Sequence, residues 1–207
     1  MRYQFLVDTY ASEITKTLSV WGMFREADLA ARPHPSDPRG RNLREHMVHQ
    51  CISEDLWFKR MFGITVVEKP LPSEETRAGF LAAYAGAAEQ RLAALNAKPE
   101  AWWEEETAFF DVPRSRLWVM TRRLNHSAHH RGQQTTLLRM LQQPLHSTYG
   151  PTADTGGLPV NEAPTVYAWT GQAAILRADD KAPLPGPGVK SCTDREFKHV
   201  QIGRAHV

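Results

Sequence analysis

Residues 122–134 read RRLNHSAHHRGQQ and carry His126 and His130, four positions apart. Four residues are a little more than one turn of an α-helix, so a helical segment projects both imidazoles from one face. On a helical wheel the two rings share an arc of about 60° with three further residues, Val119, Gln133 and Leu137. His129 falls well to the side. The pair therefore follows the apolar stripe into a core, with the spacing of a metal site.

A third ligand must come from elsewhere in the chain. Zinc and related transition metals accept neutral imidazole, and a catalytic site has three protein ligands and an open position for water or substrate. His46 and His49 both lie on a broadly apolar candidate helix over residues 42–62, and the wheel does not choose between them. The alternative without a metal is a His-rich turn whose rings are satisfied by carbonyl or carboxylate groups.

Glu54 lies one turn beyond His49 on the same candidate helix. It could hold a ligand in place or act as an acid or base, whereas a solvated or salt-bridged carboxylate is the commoner fate of such a residue. The sequence leaves both interpretations open.

Hydrophobic periodicity predicts four helices and one all-α domain over residues 1–145. The helices cover approximately residues 4–24, 42–62, 73–96 and 114–141. Asn42 is a predicted N-cap and Gly63 a predicted stop, while Ser73, followed by two glutamates, is a predicted helix start. Two apolar rows on the fourth helix indicate a central position or a dimer interface.

Two segments between these helices read as loops. Residues 31–41 hold three prolines and a glycine, and His34 among them is expected to be exposed. Residues 101–112 lack a helical period, which predicts a loop, partly extended, that closes one end of the helices. Its aromatic residues are interpreted as a hydrophobic plug rather than a substrate-stacking surface: Trp102, Trp103, Phe109 and Phe110.

The C-terminal quarter of the chain has a different composition. Residues 146–180 are rich in Gly, Pro, Thr and Asp, which predicts an ordered loop extension packed on the helices or acting as a lid. Residues 181–207 are predicted to be disordered. Their last seven, QIGRAHV, can be back-translated into a sequencing adapter, so we treat an artefactual terminus as a hypothesis that the codons would test.

Composition excludes several classes of protein. The formal charge is only +2 and basic residues form no run, so no nucleic-acid surface is predicted. Cys51 and Cys192 lie far apart in different surroundings, which favours a reducing compartment over a disulfide framework. The first ten residues contain no apolar run typical of a signal or membrane span. We therefore expect a soluble, cytoplasmic protein.

The spacing of His49, Glu54 and Trp57, together with HSAHHRGQ at 126–133 and the following Leu137, Leu138 and Arg139, resembles the DinB-like superfamily. The resemblance covers residues 1–145. It implies a four-helix bundle with an up-down-down-up order, frequently dimeric, that binds a divalent metal through three histidines. Carried onto the matching positions, the ligands are His49, His126 and His130, so the resemblance selects His49 over His46.

The same resemblance implies a function, because some relatives are transferases or isomerases that use a low-molecular-weight thiol. We therefore expect a divalent transition metal (Zn, Ni, Mn or Fe) and a small-molecule substrate, with Glu54 and Gln133 as catalytic or orienting groups. The leading hypothesis is a metal-dependent S-transferase or related hydrolase. The rivals are a non-catalytic bundle stapled by metal and a metal-free interaction protein. Metal occupancy is predicted to fall as the pH drops through about 6, the range of free histidine.

Overall fold

The computed structural model describes residues 2–143 and 145 and consists mainly of helices. Four are long, and they are α1 (Gln4–Met23), α2 (Leu43–Phe62), α3 (Arg77–Asn96) and α5 (Arg116–Met140). A short helix α4 (Glu100–Glu104) and two strands, β1 (Glu106–Phe109) and β2 (Val112–Ser115), lie between α3 and α5. A 3-10 helix at Glu26–Ala30 follows α1.

The ends of α2 are set by the residues that the sequence predicts. The Asn42 side chain accepts the Glu45 backbone N–H, and the Glu45 carboxylate accepts that of Asn42, which makes a reciprocal capping box. Gly63 ends the helix with φ of 63°, a left-handed conformation that favours glycine. Both predictions are confirmed.

The start predicted for the third helix at Ser73 is wrong, because α3 begins at Arg77. Thr76 is its N-cap and accepts the Gly79 N–H, while the Glu26 carboxylate accepts the Arg77 N–H. These two acceptors satisfy N–H groups that a helix leaves unpaired at its first turn. One of them comes from a residue 51 positions away, which a local pattern does not reveal.

The α5 helix lies at the centre of the packing. It packs against α1 and α2 and also touches α4 and both strands, while α1 packs on α3. Large side chains from all four long helices fill the core between them, including Trp21, Phe58, Phe80 and Met120. The predicted central position of this helix is therefore confirmed, and its two histidines face α2.

The prediction of a partly extended loop over residues 101–112 is wrong for α4, whereas its extended part is confirmed as the first strand and turn of an antiparallel hairpin. The pairing runs from Glu106 opposite Ser115 to Phe109 opposite Val112. Cross-strand hydrogen bonds, which have no helical period, stabilise this short segment. Trp103 is fully buried, as expected for a plug, whereas Phe110 at the turn is 66% exposed.

Predictions for the C-terminal quarter, including the extension at 146–180, the tail at 181–207 and Cys192, lie outside the described residues. Within the described part of the chain, no helix has the length and apolar character needed to span a membrane.

Candidate metal centre

Three imidazoles from two helices converge on one point. His49 comes from α2, and His126 and His130 come from successive turns of α5. One nitrogen from each ring lies within 4.8 Å of the other two. The ring centroid of His49 is 5.4 Å from that of His126 and 4.6 Å from that of His130. The folded chain therefore brings together the three histidines that the family resemblance selects.

The donor atoms fit a divalent metal. The Nε2 atoms of His126 and His130 are 3.2 Å apart. Two nitrogens bound to one tetrahedral zinc at the usual bond length lie about 3.3 Å apart, so this pair already has the required separation. The His49 nitrogen lies within 4.8 Å of both.

The tautomer of His130 is set by Gln133. The Oε1 atom of Gln133 lies 3.1 Å from Nδ1 of His130, and an amide oxygen can only accept, so Nδ1 donates its hydrogen. The neutral ring then presents an unprotonated Nε2 towards His126. An outer partner of this kind orients a metal ligand and raises its basicity.

Trp57 packs on the ring of His126, and Arg123 packs on Trp57. The Trp57 ring stacks on the His126 ring with centroids 5.7 Å apart. The Arg123 guanidinium lies over the Trp57 ring, 5.6 Å from its centroid. The buried Nδ1 atom of His126 has no hydrogen-bond partner among residues 2–143 and 145. Aromatic packing therefore holds the His126 ring in place, whereas the hydrogen bond to Gln133 holds the His130 ring.

The electrostatic environment keeps the imidazoles neutral. Burial, and then the charge of the neighbouring Arg123 guanidinium, lower the pKa of His126 to about 3. Burial followed by the adjacent His126 ring lowers the pKa of His130 to about 3. The pKa of His49 is lowered as well, by burial and then by Arg41 and Arg123. Neutral imidazole is the form that binds a metal, so the site is ready for one at neutral pH.

Because these pKa values are lowered, protons should compete with the metal only at a pH below the range in which free histidine titrates. The dissociation constant for zinc should change less than about tenfold between pH 7 and pH 5, because His126 and His130 stay neutral there. Two imidazoles with unshifted pKa values would weaken binding about a thousandfold over the same interval. Zinc titrations with a chromophoric competitor at each pH measure the constant, and a loss near the larger figure would contradict the shifts.

Two further histidines lie beside the centre without joining it. His46 is 5% exposed, with its ring centroid 5.6 Å from that of His130. Burial and then Arg41 lower its pKa to about 4. His129 is exposed, and its ring lies 5.1 Å from His130. The group of three nitrogens contains neither residue.

Glu54 occupies a buried ion-pair cluster. Its carboxylate accepts hydrogen bonds from the Tyr10 and Tyr84 hydroxyls and pairs with Arg91 at 3.4 Å and Arg123 at 2.9 Å. Burial alone would raise the pKa of Glu54, but Arg123, Arg91 and the two hydroxyls bring it below its usual value. Four donors use the lone pairs of the carboxylate. This arrangement is the salt-bridged alternative left open by the sequence, and a catalytic role for Glu54 stays a prediction.

The sequence did not predict the arginines and tyrosines around Glu54. It also predicted that Gln133 faces the core, whereas Gln134 does so. Gln133 is exposed apart from its contact with His130, whereas Gln134 is buried between Gln50 and Trp21. Arg91 lies in the inward row of α3, and an arginine in an otherwise apolar row was a signal that a buried acid faces it.

Two cavities border the centre. One of about 470 Å³ is lined by His49 together with residues of the first half of α2. The other, of about 140 Å³, is lined by His46, Gln133 and the loop before α2. Arg41 lines both. A small molecule in the larger cavity can therefore reach His49 from the side on which α2 begins.

The DinB family model matches residues 15–156 of this sequence, about two thirds of its length. The chain belongs to the DinB family. The DinB fold is also found in a similar solved structure, the 2.01 Å crystal structure of a DinB-like protein from Bacillus cereus ATCC 10987. The TM-score is 0.61 at 18% sequence identity, and the match covers 70% of this chain and 95% of that one. No curated protein matches the sequence.

Proposed function

We propose that this DinB-family chain binds a divalent transition metal through His49, His126 and His130 and uses it to activate a low-molecular-weight thiol for S-transfer. The observation that carries the proposal is the convergence of three neutral imidazole nitrogens within 4.8 Å, next to open cavities. The up-down-down-up helix order and a homodimer belong to the same proposal, since both come from the family resemblance.

The chain contributes binding and orientation to this chemistry. A divalent cation supplies Lewis acidity, which lowers the pKa of a thiol or water bound in an open position. Gln133 orients His130, and Trp57 orients His126. With a metal held by His49, His126 and His130, the sulfur of the activated thiol would attack the electrophile: a bond to sulfur would form, the bond to the leaving group would break, and the thiol proton would pass to solvent.

A non-catalytic role is the second candidate, and it is supported by the origin of the ligands on α2 and α5. A metal shared by two helices that are distant along the chain stabilises their packing. This alternative predicts binding without turnover, so the two candidates differ in a measurable way.

The test uses protein purified without a histidine tag, reconstituted with zinc and assayed for consumption of 2-mercaptoethanol in the presence of 1-chloro-2,4-dinitrobenzene. Zinc-dependent turnover above the uncatalysed rate supports the S-transferase. Stoichiometric zinc without turnover of this pair or of a panel of thiols and electrophiles favours the structural role. Protein that binds no zinc, cobalt, nickel, manganese or iron would overturn both candidates.

A further inference from the structure

Arg41 stands between the two cavities beside the metal centre and lines both. It shares the larger cavity with His49 and the smaller one with His46. A cation next to histidines that would hold another cation is unfavourable unless an anion completes the site. The position of Arg41 therefore needs an explanation.

The other charged residues of the two cavities are paired. Arg44 binds Glu75, Arg39 binds Asp37 at 2.9 Å, and the Glu45 carboxylate binds Arg32 and the Asn42 N–H. Arg41 acts electrostatically on Glu45. Among the residues that the structure describes, however, its guanidinium takes part in no hydrogen bond or ion pair. Its donors are therefore available to a ligand.

The backbone around Arg41 is held in place on both sides. The carbonyl of Gly40 accepts a hydrogen bond of 3.0 Å from Arg32, and Asn42 is fixed by its capping box with Glu45. The backbone that carries the Arg41 side chain is thus held in place, which reduces the backbone entropy lost when a ligand binds.

His46 supplies a second, independent sign of a ligand. It lines the smaller cavity and is 95% buried, yet its Nδ1 atom has no hydrogen-bond partner in the described part of the chain. A buried polar atom without a partner costs free energy, and a bound polar group can satisfy it. The imidazole with this unpaired nitrogen lines the same cavity as Arg41.

We infer that Arg41 and His46 form a carboxylate-binding subsite beside the three-histidine centre, so that the small molecule used by this protein carries a carboxylate close to its reactive group. The inference rests on the proposed function and extends it to a substrate class. The planar guanidinium offers paired donors that match a carboxylate, which makes this anion a better fit than a neutral thiol. With a divalent metal bound by three neutral ligands, the excess positive charge favours the same choice.

The test compares two thiols of similar size on the cobalt(II)-loaded protein, mercaptoacetate and uncharged 2-mercaptoethanol. Binding of each is followed by the sulfur-to-cobalt charge-transfer absorption. The R41Q variant should bind mercaptoacetate about tenfold or more weakly than the parent chain, because a charge-assisted hydrogen bond is lost. Its affinity for 2-mercaptoethanol should change less than about twofold. R41K should recover part of the loss, because lysine keeps the charge but not the paired donors.

Arg60→Gln is the matched control, since Arg60 is an arginine in the last turn of α2 and lines neither cavity. It should leave both affinities unchanged. Equal changes for the two thiols in R41Q, or no change for either, would overturn the inference while leaving metal binding intact.

If cobalt does not bind at all, the proposed function fails. The subsite is then tested separately by acetate titration of the metal-free protein, with the His46 ring signals in the NMR spectrum as readout. An acetate response that R41Q abolishes supports the subsite, and no response in the parent chain overturns it.

Discussion

Metal-free protein carrying His126→Ala should bind zinc at least about a hundredfold more weakly than the parent chain, and it should retain no zinc after dialysis. The reason is that His126 contributes the nitrogen 3.2 Å from Nε2 of His130, and only two imidazoles remain without it. Loss of an outer partner alone typically costs ten- to a hundredfold in metal affinity, so loss of a ligand costs more. Zinc per protein after dialysis and a competitive titration give the two values.

His129→Ala is the control for this prediction. His129 lies three residues further along α5, is exposed, and is absent from the group of three nitrogens. The substitution also removes one imidazole from the same histidine-rich turn, so it accounts for nonspecific zinc binding. Similar losses in the two variants would mean that the wrong ring has been assigned to the metal.

The second large effect is expected from Glu54→Gln, which should lower the free energy of unfolding by about 3 kcal/mol or more. Arg91 and Arg123 are 1% and 0% exposed, and each pairs with the Glu54 carboxylate. Removing one partner of a buried ion pair leaves an uncompensated charge, which typically costs about 3–5 kcal/mol. Arg91 keeps a contact of 3.6 Å with Asp55, which places the estimate at the lower end. Urea unfolding of the metal-free protein measures the change without a contribution from bound metal.

Asp37→Asn provides a surface comparison, because the Asp37–Arg39 pair has an arginine side chain that is 89% exposed. An exposed pair contributes less than about 1 kcal/mol, so this variant should unfold almost like the parent. The Glu54 variant also distinguishes a catalytic role of this carboxylate from a structural one. Unchanged stability with lost thiol transfer would indicate a catalytic carboxylate and contradict the structural one.

The histidine pair shows how far local pattern can reach. A spacing of four residues on a helix determines that His126 and His130 share a face, whatever they pack against. Nothing in that pattern identifies the third ring. His46 and His49 both face towards α5, and only the family resemblance selected His49 before the structure placed its nitrogen within 4.8 Å of the pair.

The surroundings of Glu54 show where local pattern stops. Its partners come from three helices, with Tyr10 on α1, Tyr84 and Arg91 on α3, and Arg123 on α5. No short window of sequence contains these contacts. The family resemblance therefore suggested a functional role for Glu54. In the folded chain, the Glu54 carboxylate is surrounded by buried hydrogen-bond donors.

By itself, the sequence determined the four long helices, the capping of α2 and the shared face of two histidines, since these depend on residues within a few positions of one another. The tertiary structure decided which carboxylate is buried, where α3 begins and that Arg41, beside both cavities, has no hydrogen-bond or ion-pair partner among the described residues. Those outcomes depend on contacts between distant residues, such as the one from Glu26 to Arg77, and their free energies exist only when the helices pack together.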